Sequence, residues 1–394
     1  MYPYTDIIIY PLFSSTEERH YLLFYNERYY EVSYAIVELV IELQEKMTIE
    51  EAALSYIKKK KQRYSTDQVV HLIDKFVVPI ISLKKDNATF LYEKELFAAS
   101  IIDKFSDVFR FLFRDIYMWI LLILTLLMDI YFFVCINDLF IFDEELNAYC
   151  VIGLIFFMLL SSFFHELGHA SACKYFGLNH GGIGFGLYLN FPVFYTDVTS
   201  VWKLTRKQRL VVNIAGVYFQ SLLLIILLTT LIFTHNKILW YLSLLVNFSF
   251  LMTLNPFFKF DGYWIMSDLL GVPNLRTRSK ELISYFFKRI RGQSVKQKPY
   301  LLLIRRTERY GLFFYSIIVN SFMVVYFIYI IPNFIYHFLF LFPHRLHDLY
   351  RCFSEQDMPS FALIYDIGMQ LMFFCLIGFL VVKLIMQLKK YIRS

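Results

Sequence analysis

The distribution of apolar residues divides the chain into two parts. The first 110 residues contain no apolar stretch long enough to cross a bilayer, whereas long apolar runs dominate the rest. Six runs are long enough to be membrane spans. They lie at 116–136, 148–172, 210–233, 238–254, 312–340 and 362–386. The pattern predicts a polytopic α-helical membrane protein with about six transmembrane helices. No signal peptide is recognisable in the first 110 residues, so the front part is expected to stay in the cytoplasm.

The first 85 residues have the pattern of a small α+β domain. The predicted elements are strands at 21–25 and 28–32, helices that begin after Ser33, Thr48 and Ser65, and a closing strand at 79–83. Together they predict a winged-helix-like domain at 1–85. Four phenylalanines and Leu112 occur with Lys104, Arg110 and Arg114 at 104–114, which predicts an interfacial helix within a linker at 86–114. The membrane domain then covers 115–394.

Charges in the connecting segments predict the direction of the spans. The connection at 137–147 contains four acidic residues and no Lys or Arg, whereas 276–309 contains eleven Lys or Arg. The last six residues contain three more basic side chains. Because basic loops stay in the cytoplasm, both termini are predicted to be cytoplasmic, in the inner membrane of a bacterial cell. The second span then ends at the cytoplasmic face.

The end of the second span carries the motif HExxH, as His165-Glu166-Leu167-Gly168-His169. Residues four positions apart share one face of a helix, so His165 and His169 can both bind one Zn²⁺. Glu166 is placed to act as general base toward a zinc-bound water. Ionisable groups at membrane depth are costly and indicate a functional site. We therefore expect zinc as the cofactor.

A catalytic zinc takes three protein ligands and keeps one position open for water, so a third ligand is needed. Tyr175 stands where the longer HExxHxxGxxH pattern has its last histidine. No glutamate occurs between Glu166 and Glu281. The aspartates in that interval are Asp197, Asp261 and Asp268.

Asp261 is the best candidate for the third ligand. Pro256 ends the fourth span shortly before it and Gly262 permits a tight turn, so irregular backbone falls at membrane depth. Such backbone is tolerated only where it is buried in protein or lines a cavity. The alternative is that Asp261 merely caps a helix. Asp197 is expected to shape a turn, and Asp268 to lie along the helix that follows.

The segment at 177–201, between the second and third spans, contains four closely spaced glycines followed by alternating apolar residues. This pattern predicts a short β-hairpin inserted between two membrane helices, with a plain glycine-rich loop as the alternative. An exposed strand of such a hairpin could bind an extended peptide.

Composition excludes other kinds of site. Five cysteines are scattered along the chain without a CxxC pair, so neither a disulfide framework nor a thiolate zinc site is indicated. The net charge of +6 is concentrated in particular loops, which favours membrane topology and contact with the lipid bilayer. No basic helix or aromatic-basic interleaving supports a nucleic-acid partner, so none is expected.

HELGH at the end of a membrane helix, followed about ninety residues later by Asn-Pro-x-x-x-x-Asp-Gly, resembles the site-2 protease family of intramembrane zinc metallopeptidases. The residues at 254–270 and 192–216 are closest to its peptide zinc metalloprotease branch. The resemblance covers 116 to about 275. It implies zinc ligands His165, His169 and Asp261, with Glu166 as the base. It also implies that Asn255 binds the scissile carbonyl or its oxyanion.

The front domain resembles, in its pattern of elements, the PqqD-like module that binds leader peptides of ribosomally made, modified peptides. The alternatives are a DNA-binding winged helix and a cap that only supports folding. DNA binding is disfavoured because the basic run at 58–61 lies at the end of the predicted second helix, where it suits the helix dipole.

These observations lead to one expected function and two alternatives. The expected function is an intramembrane zinc endopeptidase that cleaves a precursor peptide at the cytoplasmic side, for leader removal or maturation. The expected partners are the precursor peptide and the lipid bilayer, with a peptide-modifying enzyme or an exporter as further candidates. One alternative is a signalling protease that cuts the membrane helix of a regulator. The other is a membrane binding or export protein with a structural zinc.

Overall fold

The computed structural model describes residues 4–16, 19–26, 28–46, 48–61, 63–82, 92–135, 148–188, 191–293 and 299–355, and nine positions between 363 and 382. This part of the chain is mostly helical and has two three-stranded antiparallel sheets. By its internal contacts the chain forms two compact units. One comprises Met1–Ala88, Thr199–Leu210 and Ile265–Ile317; the other comprises Thr89–Val198, Val211–Trp264 and Ile318–Ser394. The domains at 1–85, 86–114 and 115–394 stay a prediction.

The first unit begins with an antiparallel sheet of strands β1 (Ile8–Leu12), β2 (His20–Tyr25) and β3 (Arg28–Ser33), in that order. Asn26 has a φ of 49°, in the left-handed region that asparagine tolerates, and lies in the tight turn between β2 and β3. The predicted hairpin is thereby confirmed. The sequence pattern did not indicate β1, which contains Pro11, a residue that is uncommon inside strands.

Three helices follow the sheet at the positions that the capping residues predict. They are α1 (Tyr34–Glu45), α2 (Ile49–Lys59) and α3 (Thr66–Leu72). The Thr48 hydroxyl accepts a hydrogen bond from the Glu51 amide at 3.2 Å, which caps α2. Ser65 and Gln68 bond reciprocally to each other's amides, which gives α3 a complete capping box. Apolar residues of β2 and all three helices form one buried core.

The predicted closing strand at 79–83 is wrong, because the described residues there are helical. A π-helical turn, Ile73–Val77, leads directly into α4 (Val78–Ser82), and Leu83 lies outside the described residues. Ile73, Val77 and Ile80 are all buried, and their spacing of four and three residues is that of one helix face. Pro79 falls in the first turn of α4, where a helix tolerates proline. The third strand of the sheet is β1 instead.

A buried arginine connects three segments of the first unit. The Arg209 guanidinium donates from Nε to Asp268 Oδ1 at 2.6 Å, and its terminal nitrogens donate to the carbonyls of Leu204 at 3.1 Å and Phe13 at 3.2 Å. It also lies over the Trp202 ring. A buried charge is tolerated only when it is paired and hydrogen-bonded, and Arg209 meets both conditions.

The remaining helices carry most of the apolar sequence. They are α5 (Ala99–Phe109), α6 (Asp115–Cys135), α7 (Ala148–Tyr175), α8 (Arg206–Thr234), α9 (Lys237–Thr253), α10 (Asp261–Leu270), α11 (Leu275–Ile290), α12 (Arg306–Val325) and α13 (Ile331–Ser354). In the second unit, α6, α8 and α9 share an apolar core that includes Phe132, Leu224 and Val246. Helix α5 lies where the interfacial helix was predicted, and its placement at a membrane surface stays a prediction.

Four helical stretches of the described chain are long and apolar enough to cross a membrane, which identifies a membrane protein. They are Asp115–Val134, Ile152–Tyr175, Arg206–Thr234 and Arg306–Ser354. The predicted span at 238–254 is the shorter apolar helix Lys237–Thr253. Only nine positions of the predicted sixth span, 362–386, are described. The count of six spans therefore stays a prediction.

The second sheet contains the predicted hairpin. Strands β5 (Ile183–Tyr188) and β6 (Phe191–Thr196) pair in antiparallel register, which confirms the hairpin between the second and third spans. A third strand, β4 (Tyr92–Phe97), pairs with β5 on its other side. It lies in the predicted linker, and all six of its residues are exposed. A fully exposed strand has no buried face, so its sequence lacks the alternation that identifies strands.

Candidate metal centre

Helix α7 carries the HExxH motif near its end. His165, Glu166 and His169 are all buried, with between 6% and 8% of their surface exposed. The two imidazoles lie one turn apart on the same helix face, and their Nε2 atoms are 3.1 Å apart. Buried ionisable side chains need partners. The groups that contact the two imidazoles therefore indicate what kind of site this is.

Asp261, the first residue of α10, brings a carboxylate to both histidines. Its Oδ2 lies 3.0 Å from His165 Nε2 and 3.1 Å from His169 Nε2, so the three atoms form a nearly equilateral triangle. Zinc bound at about 2.0–2.1 Å in a tetrahedron has ligand atoms roughly 3.3 Å apart, close to this triangle. Burial raises the pKa of Asp261, and the imidazoles of His169 and His165 outweigh that effect and lower it below its usual value. The donor set therefore fits a zinc ion.

The outer nitrogens of both imidazoles have acceptors on α8. His169 Nδ1 lies 2.8 Å from the carbonyl of Val212, and His165 Nδ1 lies 3.1 Å from Gln220 Oε1. An acceptor at Nδ1 places the proton there and leaves the Nε2 lone pair free for a metal. This is the arrangement found around metal-binding histidines in general.

Sequence reasoning missed both of these acceptors. Val212 acts through its backbone carbonyl, which has no sequence signature. Gln220 did carry a signal, because a glutamine within an apolar span is costly unless it is hydrogen-bonded. Read in that way, the sequence of the third span could have indicated a polar partner for the motif.

The other two aspartates considered as ligands have different partners. The Asp197 carbonyl accepts a hydrogen bond from the Gly181 amide at 2.8 Å, at the base of the β5–β6 hairpin, and the role of Asp197 in shaping the turn stays a prediction. Asp268 is bound to Arg209. Of the three candidates, Asp261 is the one that the structure brings to the histidines.

Asn255 lies in the irregular segment between α9 and α10. Its Oδ1 accepts a hydrogen bond from the Phe257 amide at 2.8 Å, which makes a local turn around Pro256. This bond uses the acceptor of the side-chain amide and leaves Nδ2 as the group that can donate. The hairpin reaches the same segment, because the Tyr188 hydroxyl accepts a hydrogen bond from the Lys259 amide at 3.1 Å.

Glu166 is next to the first histidine and has a different environment. The Thr196 hydroxyl donates to its backbone carbonyl at 3.4 Å, so strand β6 lies beside α7 at the motif. Within the described ranges, no hydrogen bond engages the Glu166 carboxylate. A buried carboxylate whose oxygens are not bound by protein donors can accept a proton from water.

Glycines allow α7 and α8 to approach closely at the site. A Cβ on Gly168 would overlap the carbonyl of Ala215, and a Cβ on Gly216 would overlap the His165 ring. On α8, the carbonyl of Ala215 therefore sets how closely the two helices approach, and the missing side chain of Gly216 leaves room for the His165 imidazole. Close packing of this kind needs small residues at helix interfaces in membranes.

Gly216→Ala is expected to displace the His165 ring and to lower zinc content and proteolysis together. Because interior packing is tight, the added methyl group has to push the imidazole aside, and a shift of about 1 Å costs roughly 10²-fold in rate. The matched control is Gly153→Ala on α7, where nothing lies within 4 Å of the new Cβ. The test is to measure zinc content and initial rates of proteolysis for both purified variants. Wild-type values for Gly216→Ala would contradict the packing argument.

The arrangement defines a class of site: two buried histidines and a partly exposed aspartate, with an adjacent glutamate, which together have the donor set of a zinc centre. Among the described residues, the ligand atoms of His165, His169 and Asp261 lie close enough together to hold one metal ion. Comparison with known proteins agrees with this class. A protein of Bacillus subtilis (strain 168), named "Putative peptide zinc metalloprotease protein YydH", is 29% identical over 121 residues.

The matched region is 30% of this chain and 48% of that protein, so the chain spans about half the length of this curated relative. No protein-family model matches the chain. No solved structure matches it either. The similarity supports a metalloprotease that uses zinc, and the helices described above identify a membrane protein.

Proposed function

We propose that the chain is a site-2-type intramembrane zinc endopeptidase that cleaves a precursor peptide at the cytoplasmic side of the membrane. The observation that carries the proposal is the triangle of His165 Nε2, His169 Nε2 and Asp261 Oδ2, at 3.0–3.1 Å, with the buried Glu166 on the same helix turn as the two histidines. Three ligands leave a fourth position for substrate or water, as in catalytic sites, whereas structural zinc sites have four protein ligands.

Each residue has one role in the proposed reaction. His165, His169 and Asp261 hold the metal, which when bound supplies Lewis-acid polarisation of the attacking water and the scissile carbonyl. Glu166 accepts a proton from the water as its oxygen bonds to the carbonyl carbon. Glu166 then passes that proton to the amine nitrogen as the C–N bond breaks. Asn255 donates from Nδ2 to the oxyanion.

The hairpin supports a peptide as the substrate. Strand β6 lies along α7 at the motif, and the hairpin also contacts the segment at 255–260 through Tyr188. Peptides bind to exposed strand edges in extended form, which is the conformation that a protease needs around a scissile bond. The front domain, 1–85, would capture the precursor and raise its concentration near the metal centre.

The charge distribution supports the proposed location. The basic segment at 276–309 and the basic tail favour cytoplasmic placement of both termini in a bacterial inner membrane. The metal centre then lies at the cytoplasmic end of α7. A precursor made in the cytoplasm reaches it without crossing the membrane, from a peptide-modifying enzyme or before export.

Cleavage assays with the purified full-length protein test the proposal. Candidate substrates are short precursor peptides encoded beside the gene and, as the competing class, membrane helices of regulators. We expect one discrete cut in a precursor peptide, lost on chelation and restored by Zn²⁺, with the products identified by mass spectrometry. Cutting of membrane helices alone would favour the signalling protease. A zinc-loaded protein that cuts neither class would favour a binding or export role.

A further inference from the structure

Gln220 is a buried polar side chain in the interior of α8 that contacts the metal centre. It is 2% exposed, and it connects three helices. Its Oε1 lies 3.1 Å from His165 Nδ1, while its Nε2 donates to the hydroxyls of Ser161 at 3.0 Å and Ser249 at 3.4 Å. Both amide hydrogens and the amide oxygen therefore have partners on α7 and α9.

The direction of this amide decides the tautomer of His165. With Oε1 toward the ring, Nδ1 carries the proton and the Nε2 lone pair faces Asp261 and His169. If the amide were reversed, its NH₂ group would face Nδ1, and Nδ1 would have to accept a hydrogen bond from it. The ring proton would then be on Nε2, where it would block metal binding. In the first direction, the hydroxyls of Ser161 and Ser249 accept from Nε2 of Gln220, so both ends of the amide are satisfied.

We infer that Gln220 is a positioning residue that holds His165 in its metal-binding tautomer and thereby sets the zinc affinity of the site. The inference rests on the proposed metal centre and adds to it a residue that touches neither metal nor substrate. Partners of this type fix the ring orientation and raise the basicity of the ligand, and their loss typically costs about 10–100-fold in metal affinity.

Zinc affinity, measured by competition with a coloured chelator, tests the inference without any protease assay. Gln220→Met keeps the length and apolar volume of the side chain but removes the acceptor, so we expect zinc to bind about 10–100-fold more weakly. Gln220→Glu keeps an acceptor for Nδ1–H and should stay near the wild-type affinity. The matched control is Leu224→Met, one turn further along α8, which puts the same side chain at a fully buried position away from His165.

Cobalt gives a second readout, because the visible spectrum of bound Co²⁺ reports the geometry of its ligands. We expect Gln220→Met to change that spectrum, and Gln220→Glu and Leu224→Met to leave it unchanged. If Gln220→Met does not fold, Gln220→Leu, which also lacks an acceptor for His165 Nδ1, takes its place, and it should also weaken zinc binding.

The outcomes separate this inference from the proposed function. A wild-type protein that binds no zinc would overturn both. A wild-type protein that binds one zinc, together with Gln220→Met or Gln220→Leu at the same affinity and with the same cobalt spectrum, would overturn the role of Gln220 alone. Weakening in Leu224→Met as large as in Gln220→Met would also overturn it, because the effect would then be one of packing.

Discussion

Glu166→Gln is expected to abolish nearly all proteolysis while the protein keeps about one zinc per chain. Glutamine has the same shape as glutamate, and His165, His169 and Asp261 are unchanged, so the metal stays. The amide does not accept a proton from water, and loss of a general base typically costs about 10²–10⁴-fold in rate. Initial rates on a cleaved precursor and the metal content of the same preparation measure both quantities.

Glu93→Gln is the matched control for this experiment. It makes the same chemical change on the exposed strand β4, and it should leave rate and zinc content unchanged. If Glu166→Gln cuts its substrate at the wild-type rate, Glu166 is not the base. Loss of zinc from Glu166→Gln would instead mean that this carboxylate belongs to the metal site.

Asp261→Ala is expected to lose both zinc and activity. It removes one of three ligand atoms and leaves two buried imidazoles without the carboxylate that lies 3.0–3.1 Å from each of them. Two ligands are too few for a catalytic zinc, which takes three protein ligands. Metal analysis, together with circular dichroism to confirm the helical fold, distinguishes loss of the ligand from loss of the structure.

Asp197→Ala is the comparison that makes the Asp261 result specific. Asp197 bonds to Gly181 through its backbone carbonyl, and that bond survives truncation of the side chain. We expect this variant to keep its zinc. The assignment of the third ligand would be reversed if zinc were lost from Asp197→Ala and retained in Asp261→Ala.

The sequence predicted the elements whose periodicity or capping residues are strong. Helix α7, the hairpin of β5 and β6, and the starts of α2 and α3 all follow patterns that local physical chemistry dictates. The motif and the segment after Pro256 singled out the groups that the structure brings together. His169 and Asp261 are 92 residues apart in the sequence. The resemblance of their two motifs to one protein family nevertheless indicated that they belong to the same site.

The missed features have physical reasons. Strand β4 is exposed on both faces, so no hydrophobic alternation marks it, and β1 contains Pro11. The segment at 79–83 was mistaken for a strand because a short apolar run has the same composition in a strand and in a buried helix. The pairing of His165 with Gln220 depends on how α7 and α8 pack, which no local pattern encodes.

The two histidines differ in a way that bears on evolution. His169 is oriented by the peptide carbonyl of Val212, a group that every amino acid supplies. His165 is oriented by the side chain of Gln220, which a single codon change can remove. Among relatives that keep the metal, position 212 should therefore vary freely among side chains of suitable size. Position 220 should be restricted to residues that accept a hydrogen bond, so its variation would record which lineages have retained tight metal binding.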